Sequence, residues 1–231
     1  MWYHDRVEAQ IKVPVVYESR INQGTTQNIL LLHGFTQTGS KIKDLVLPLL
    51  GPDVSWVAPN APFPVPIKTE TGYVPGFSWY FYEAAKDSYY ISMEPAQNYC
   101  LQLLESLGWL DSATPLTLLG FSQGGYLAPF LAGAIVRNQT GSNAPLKQVI
   151  GVGCRLLAED LPSEVSFRID GIHGSLDQVV SAKEAEESFP KVIQTGDSRG
   201  KFILVPESGH RIDGPMREAI RSVIFAHRSR V

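Results

Sequence analysis

The feature that most restricts this chain is a five-residue string and its setting. Residues 116–119 (Leu-Thr-Leu-Leu) are an apolar run that passes directly into Gly120-Phe121-Ser122-Gln123-Gly124, and residues 123–137 continue with a helical pattern. A strand that becomes a helix inside one Gly-x-Ser-x-Gly string needs a very tight turn, because side chains at Gly120 and Gly124 would crowd each other. The turn strains the serine backbone and holds its hydroxyl out at the carboxyl end of the strand. Strand followed by crossover helix is also the repeating unit of a parallel sheet. Short apolar runs at 28–32, 54–58, 149–152, 168–172 and 202–205 repeat it, interleaved with helical patterns at 40–50, 93–108, 181–189 and 214–228. Residues 7–17 read as an N-terminal strand, and Pro129 is a blemish in the helix at 123–137. The expected class is α/β, with a mostly parallel central sheet and helices on both faces.

At 231 residues with 44% hydrophobic and 19% charged side chains, the whole chain (1–231) is expected to form one domain with a sizeable core. Residues 59–92 break the alternation. They hold Pro59, Pro62, Pro64, Pro66 and Pro75, then Tyr73, Phe77, Trp79, Tyr80, Phe81, Tyr82, Tyr89 and Tyr90. The segment is too long for an ordinary connection and reads as an insertion, lid-like or walling a binding site. Aromatic packing over one sheet edge is the plainer alternative, and both can hold. Phe77, Trp79, Tyr80 and Phe81 are the expected substrate-contacting side chains. On that reading Trp79→Ala changes substrate preference more than stability.

The net charge of −3 and a pI of about 6.0 leave no basic stripe, so no nucleic-acid partner is expected. Residues 227–230 (His-Arg-Ser-Arg) read as a helix end favoured by the helix dipole. Cys100 and Cys154 read as buried, reduced thiols. No apolar run reaches signal-peptide or membrane-span length, so a cytoplasmic protein with no membrane span is expected. Asn138-Gln139-Thr140 fits a glycosylation sequon that carries little weight without export. A homodimer is the default expectation, since closed dimers are the commonest assemblies.

A serine hydroxyl is a weak nucleophile at neutral pH and needs a base. Of five histidines, His4 lies in the N-terminal tail, His33 comes too early for the order serine, acid, histidine, His173 ends a strand, and His227 lies in the last helix. His210 follows the apolar run 202–205 in Glu207-Ser208-Gly209-His210, where a base is expected; a surface loop histidine is the alternative. The acid candidates are Asp160, Asp170 and Asp177, with Glu207 a weaker competitor. Asp177 follows the run 168–172 through His173-Gly174-Ser175-Leu176, so it can converge with the other two, hold the His210 tautomer and stabilise its cation. Its alternative role is capping the helix near 181. Ser122 could instead be a helix N-cap. The backbone N–H groups of Gln123 and Phe35 are the expected oxyanion donors, worth about 3–4 kcal/mol each in such sites. His33-Gly34 could equally be a plain turn.

Four stretches carry a family likeness. They are Leu31-Leu32-His33-Gly34-Phe35 with Thr38-Gly39; Ala58-Pro59-Asn60-Ala61-Pro62; Gly120-Phe121-Ser122-Gln123-Gly124-Gly125; and His173-Gly174-Ser175-Leu176-Asp177 with Gly209-His210. In these the chain resembles the small carboxylesterase, lysophospholipase and acyl-protein thioesterase group of α/β-hydrolases. The resemblance implies the α/β-hydrolase fold, a triad of Ser122, Asp177 and His210, oxyanion donors at Phe35 and Gln123, and no metal or organic cofactor. It implies a carboxylesterase-type serine hydrolase acting on a small-molecule ester or acyl substrate. Thioester, lysophospholipid, lactone or peptide hydrolysis on the same triad is the alternative, and a silent binding module or a membrane-surface lipase stands further off. Two places depart from the family pattern. Phe35-Thr36-Gln37 replaces Leu-Gly-Asp, and Asp177-Gln178-Val179-Val180-Ser181 replaces Asp-Pro-Val-Val-Pro.

Overall fold

The computed structural model describes residues 15–138, 144–161, 165–195 and 200–226. The strands are β1 (Tyr17–Arg20), β2 (Gln27–Leu32), β3 (Val54–Pro59), β4 (Phe63–Thr69), β5 (Gly72–Ser78), β6 (Phe81–Glu83), β7 (Ser88–Ile91), β8 (Leu116–Phe121), β9 (Leu146–Val152), β10 (Arg168–Gly174) and β11 (Phe202–Val205). The helices are α1 (Gly39–Val46), α2 (Glu94–Ser106), α3 (Gln123–Asn138), α4 (Ala182–Thr195) and α5 (Gly214–Ile224).

Among the described residues the main sheet has seven strands in the order β1-β3-β2-β8-β9-β10-β11. All neighbours are parallel except β1, which lies antiparallel on β3. β2, β3 and β8 are buried at every position, as strands covered on both faces must be. Successive residues of β2 serve opposite cores, since side chains alternate along a strand. Leu30 and Leu32 pack with α2, α3 and α4, whereas Ile29 and Leu31 pack with α1 and α5. This is an α/β-hydrolase arrangement, and it brings the carboxyl ends of β2, β8, β10 and β11 to one edge.

Several elements differ from expectation. The described N-terminal strand is Tyr17–Arg20, held by its pairing with β3, and residues 7–14 lie outside the described residues. His4, His227 with the basic run after it, and most of the sequon at 138–140 lie outside them too. The helix expected over 40–50 stops at Val46 and tightens into a 3-10 turn, Leu47–Leu49, around Pro48. α3 runs through Pro129, and α4 runs through Pro190 to Thr195. Burial of Ala185, Phe189 and Val192 along one face of α4 outweighs the backbone bond lost at the proline. The long segment is not a loop: β4–β5 and β6–β7 are antiparallel hairpins. Pro64 and Pro66 fall on the exposed face of β4, in a two-stranded ribbon whose free edges tolerate a missing N–H.

Cys100 and Cys154 are free and buried, and burial pushes both thiols well above their ordinary pKa. Among the described residues no helix is long and apolar enough to cross a membrane.

Candidate active site

β8 delivers Ser122 into a backbone conformation that only a forced turn explains. Its φ is 51°, in the left-handed region. The conformation is held from both sides: its N–H donates to Val152 O at 2.8 Å, and its carbonyl accepts from Gly125 and Tyr126 to start α3. A Cβ on Gly120 would lie 2.1 Å from Gly124 O, and one on Gly124 would lie 2.3 Å from Leu32 O. The two glycines therefore let the elbow close and then sit directly on the end of β2.

His210 reaches Ser122 from the loop between β11 and α5. Its Nε2 lies 2.9 Å from Ser122 Oγ and its Nδ1 lies 2.7 Å from Asp177 Oδ2. The ring rests on Phe121 with centroids 5.1 Å apart. The loop is anchored by Leu176 N–H on Ser208 O at 2.8 Å and by Ser208 Oγ on the Asp213 carboxylate at 2.9 Å. Asp213 itself caps α5 through Met216 N–H at 3.1 Å. The side chain of Asp177, three residues beyond the end of β10, is almost wholly buried. Its Oδ1 accepts the N–H groups of Val179 and Val180 at 2.8 and 2.9 Å. Burial pushes its carboxyl pKa up, but the Val180 N–H, the His210 ring and the Val179 N–H together hold it below the ordinary range. The start of α4 is capped by Ser181 Oγ, which accepts from Glu184 N–H at 3.2 Å, rather than by Asp177.

The rival groups are engaged elsewhere. Asp170 is buried against Arg168 and Gln148, each at 2.6 Å. Glu207 occupies a turn with φ 56°, its N–H on Ser175 Oγ, and Asp160 lies in a 3-10 turn, Ala158–Asp160. His33 is more than a turn residue. Its Nε2 accepts Ala61 N–H at 3.0 Å, so its Nδ1 carries the hydrogen and donates to Gly34 O at 2.8 Å. Burial lowers its pKa to about 4, which keeps it neutral.

A cleft of about 380 Å³ opens over Ser122, lined by Phe35, Tyr80, Phe81, Tyr82, Gln123, Tyr126 and Val179. Tyr80 and Phe81, two of the four aromatic residues expected at a substrate pocket, line it. Trp79 and Phe77 do not. Trp79 has no exposed surface; its indole packs 4.9 Å from the His33 ring, and its Nε1–H donates to His33 O at 2.8 Å. Phe77 faces a separate cavity of about 270 Å³ with Val16, Thr38, Ala58 and Asn60. Its backbone instead exchanges hydrogen bonds with Thr36 and Gln37, which fastens the hairpin to the loop that carries Phe35. Among the described residues no cluster of three His, Cys, Asp or Glu side chains could hold a metal ion.

Residues 22–212 match the family described as serine hydrolase (FSH1). The chain belongs to this family. No curated protein matches the serine hydrolase significantly. Its fold is similar to that of Zea mays acyl-protein thioesterase 2, at 20% identity and TM-score 0.68, over 92% of this chain and 98% of that one. Esterase PE8 (22% identity, TM-score 0.65) aligns over 94% of this chain and 99% of its own. Arabidopsis thaliana SOBER1 (20% identity, TM-score 0.64) aligns over 88% and 99%.

The serine hydrolase uses one side chain in a way its sequence did not suggest. The Gln123 side chain is buried beside Ser122, with Oε1 accepting Trp79 N–H at 2.9 Å and Nε2 donating to Tyr80 O at 2.7 Å. It bolts the aromatic wall to the elbow. Tyr126, Tyr82 and Val179 were also missed as lining residues. A signal existed for Tyr126, which stands one helical turn after Ser122 and so shares its side of α3.

Proposed function

We propose that this serine hydrolase cleaves small carboxylic esters through an acyl-enzyme on Ser122. The observation that carries the reading is the unbroken relay from Asp177 Oδ2 to His210 Nδ1 at 2.7 Å and from His210 Nε2 to Ser122 Oγ at 2.9 Å. With Asp177 accepting from Nδ1–H, Nε2 is left bare to take the serine proton as Oγ attacks the ester carbonyl. The carbonyl oxygen becomes an oxyanion. The N–H of Gln123, at the start of α3, and that of Phe35, just beyond β2, are the donors for it. Among the described residues neither meets a protein acceptor. His210 then returns the proton to the leaving alcohol, the acyl–Oγ bond remains, and water deprotonated by the same Nε2 releases the acid.

The cleft supports a neutral substrate. Among the described residues no charged side chain lines it, and Phe35, Tyr80, Phe81 and Val179 offer apolar surface. Its volume lies at the low end of the range for ligand pockets, which suits a short or medium acyl group. The names of the similar structures include a thioesterase as well as an esterase, and a thioester would pass through the same tetrahedral intermediate.

The test is fluorophosphonate labelling of the wild type and Ser122→Ala, with hydrolysis of p-nitrophenyl esters from acetate to long chains and of a matched thioester. Labelling and turnover present in the wild type and lost together in the variant are expected. A folded wild type that neither labels nor hydrolyses would sink the reading.

A further inference from the structure

His173 ends β10 four residues before Asp177 and takes no part in the proton path above. Its imidazole is wholly buried, with Nε2 3.0 Å from Val180 O and 3.3 Å from Asp177 Oδ2. Both neighbours are acceptors, so this nitrogen carries the hydrogen. Nδ1 is then the bare nitrogen, and among the described residues it meets no hydrogen-bond partner. An apolar side chain would fill the same space without burying an unpaired nitrogen. What an imidazole adds is the other nitrogen, beside the carboxylate.

The carboxylate is thus gripped on both oxygens. Oδ1 takes the N–H groups of Val179 and Val180, while Oδ2 lies between His210 Nδ1 at 2.7 Å and His173 Nε2 at 3.3 Å. The same His173 hydrogen reaches the Val180 carbonyl and so closes the turn that supplies the donors to Oδ1. This turn carries Gln178 and Ser181 where the family pattern described above has prolines, so its shape rests on these bonds rather than on rigid rings.

We infer that His173 is a positioning residue for Asp177, its Nε2–H closing through Val180 O the turn whose N–H groups hold the carboxylate with Oδ2 on His210. The inference rests on the reading of Ser122, His210 and Asp177 as the triad. Among the described residues the acids and bases facing Asp177 are His210, from the β11–α5 loop, and His173, from β10; His210 faces Asp177 and Ser122.

The experiment compares wild type with His173→Leu, His173→Gln and His173→Asn in p-nitrophenyl ester hydrolysis. In His173→Leu, kcat is expected to fall by about tenfold or more while KM holds, since the group acts through the triad and not on the substrate. His173→Gln, whose amide N–H reaches the place of Nε2, recovers most of kcat. His173→Asn, one carbon shorter, does not. In an Asp177→Asn background, His173→Leu brings no further loss of kcat. Equal losses in Gln and Asn, or a lowered Tm with kcat unmoved, would make His173 a core residue and overturn the inference. If the Leu variant does not fold, the Gln–Asn comparison decides. An inactive wild type overturns the triad reading itself and is seen before any variant is measured.

Discussion

Ser122 pays for its reach with a left-handed backbone, a conformation that costs of order 1–3 kcal/mol in a non-glycine residue. Such strain persists because glycines on either side admit the close contacts, which is why this part of the site could be read from five consecutive letters. Asp177 and His210 were legible for a related reason: each follows an apolar strand in the required order. Asp177→Asn is expected to keep the fold at neutral pH but lose about 10⁴-fold in kcat, because the His210 tautomer is no longer fixed. The stability effect has a definite sign. The folded carboxyl pKa is depressed, so its contribution is present above the unfolded pKa and lost as pH falls through the folded one. Melting curves of the two proteins should therefore converge under acid conditions, and a gap that widened there would contradict the hydrogen-bond geometry at Oδ1. The side chain of Gln123 was not legible, because its partners Trp79 and Tyr80 lie 44 and 43 residues away in the chain. Gln123→Ala retains the backbone N–H proposed for the oxyanion, yet strands the buried Trp79 N–H and Tyr80 carbonyl, at about 1–3 kcal/mol per group. It should lower Tm and raise KM more than it lowers kcat.

The two hairpins mark where patterns of residue type stop being informative about elements. Aromatic density in 59–92 marks a wall near the nucleophile but not which rings face it, since Trp79 and Tyr80 lie between β5 and β6, where no strand alternation assigns a side and only packing chooses. Trp79 goes inward onto His33, and Tyr80 and Phe81 go to the cleft. Trp79→Ala is accordingly expected to cost about 3–5 kcal/mol of stability by opening a core cavity. Among molecules still folded, the ester chain-length profile should stay close to that of the wild type. Phe81→Ala should do the reverse, shifting the profile with little change in melting. Crossed results, a Trp79 variant that melts normally but prefers other esters, would place the indole in the pocket after all. Prolines misled in the same way at α4, where the helix continues through Pro190 because its buried stripe extends to Val192.

At the scale of the whole molecule, the alternation of apolar runs and helical patterns was enough to anticipate a parallel sheet between two helical layers. The central strands β2, β3 and β8 are buried on both faces, as that architecture requires. What this alternation does not encode is how the folded surface treats its charges, and the acids of this chain pull in opposite directions. Asp177 and Asp213 have depressed pKa values, so the stability they contribute is lost as pH falls. Asp160 has the contrary sign, its carboxyl raised to about 6 by burial and then by neighbouring Glu159. Between the unfolded carboxylate pKa, about 4, and the folded value, the native state binds more protons than the unfolded chain. Stability from this residue therefore falls as pH rises through that window. Asp160→Asn removes the titrating group while keeping a similar shape. Its Tm should be flatter than the wild type's between about pH 4 and 6.5, with its largest advantage at the upper end, where the wild-type carboxylate is charged. Tm measured across this range in a non-coordinating buffer checks the sign directly. A variant that lost stability most at the upper end would mean that the charged carboxylate is instead held by a favourable partner in the folded protein.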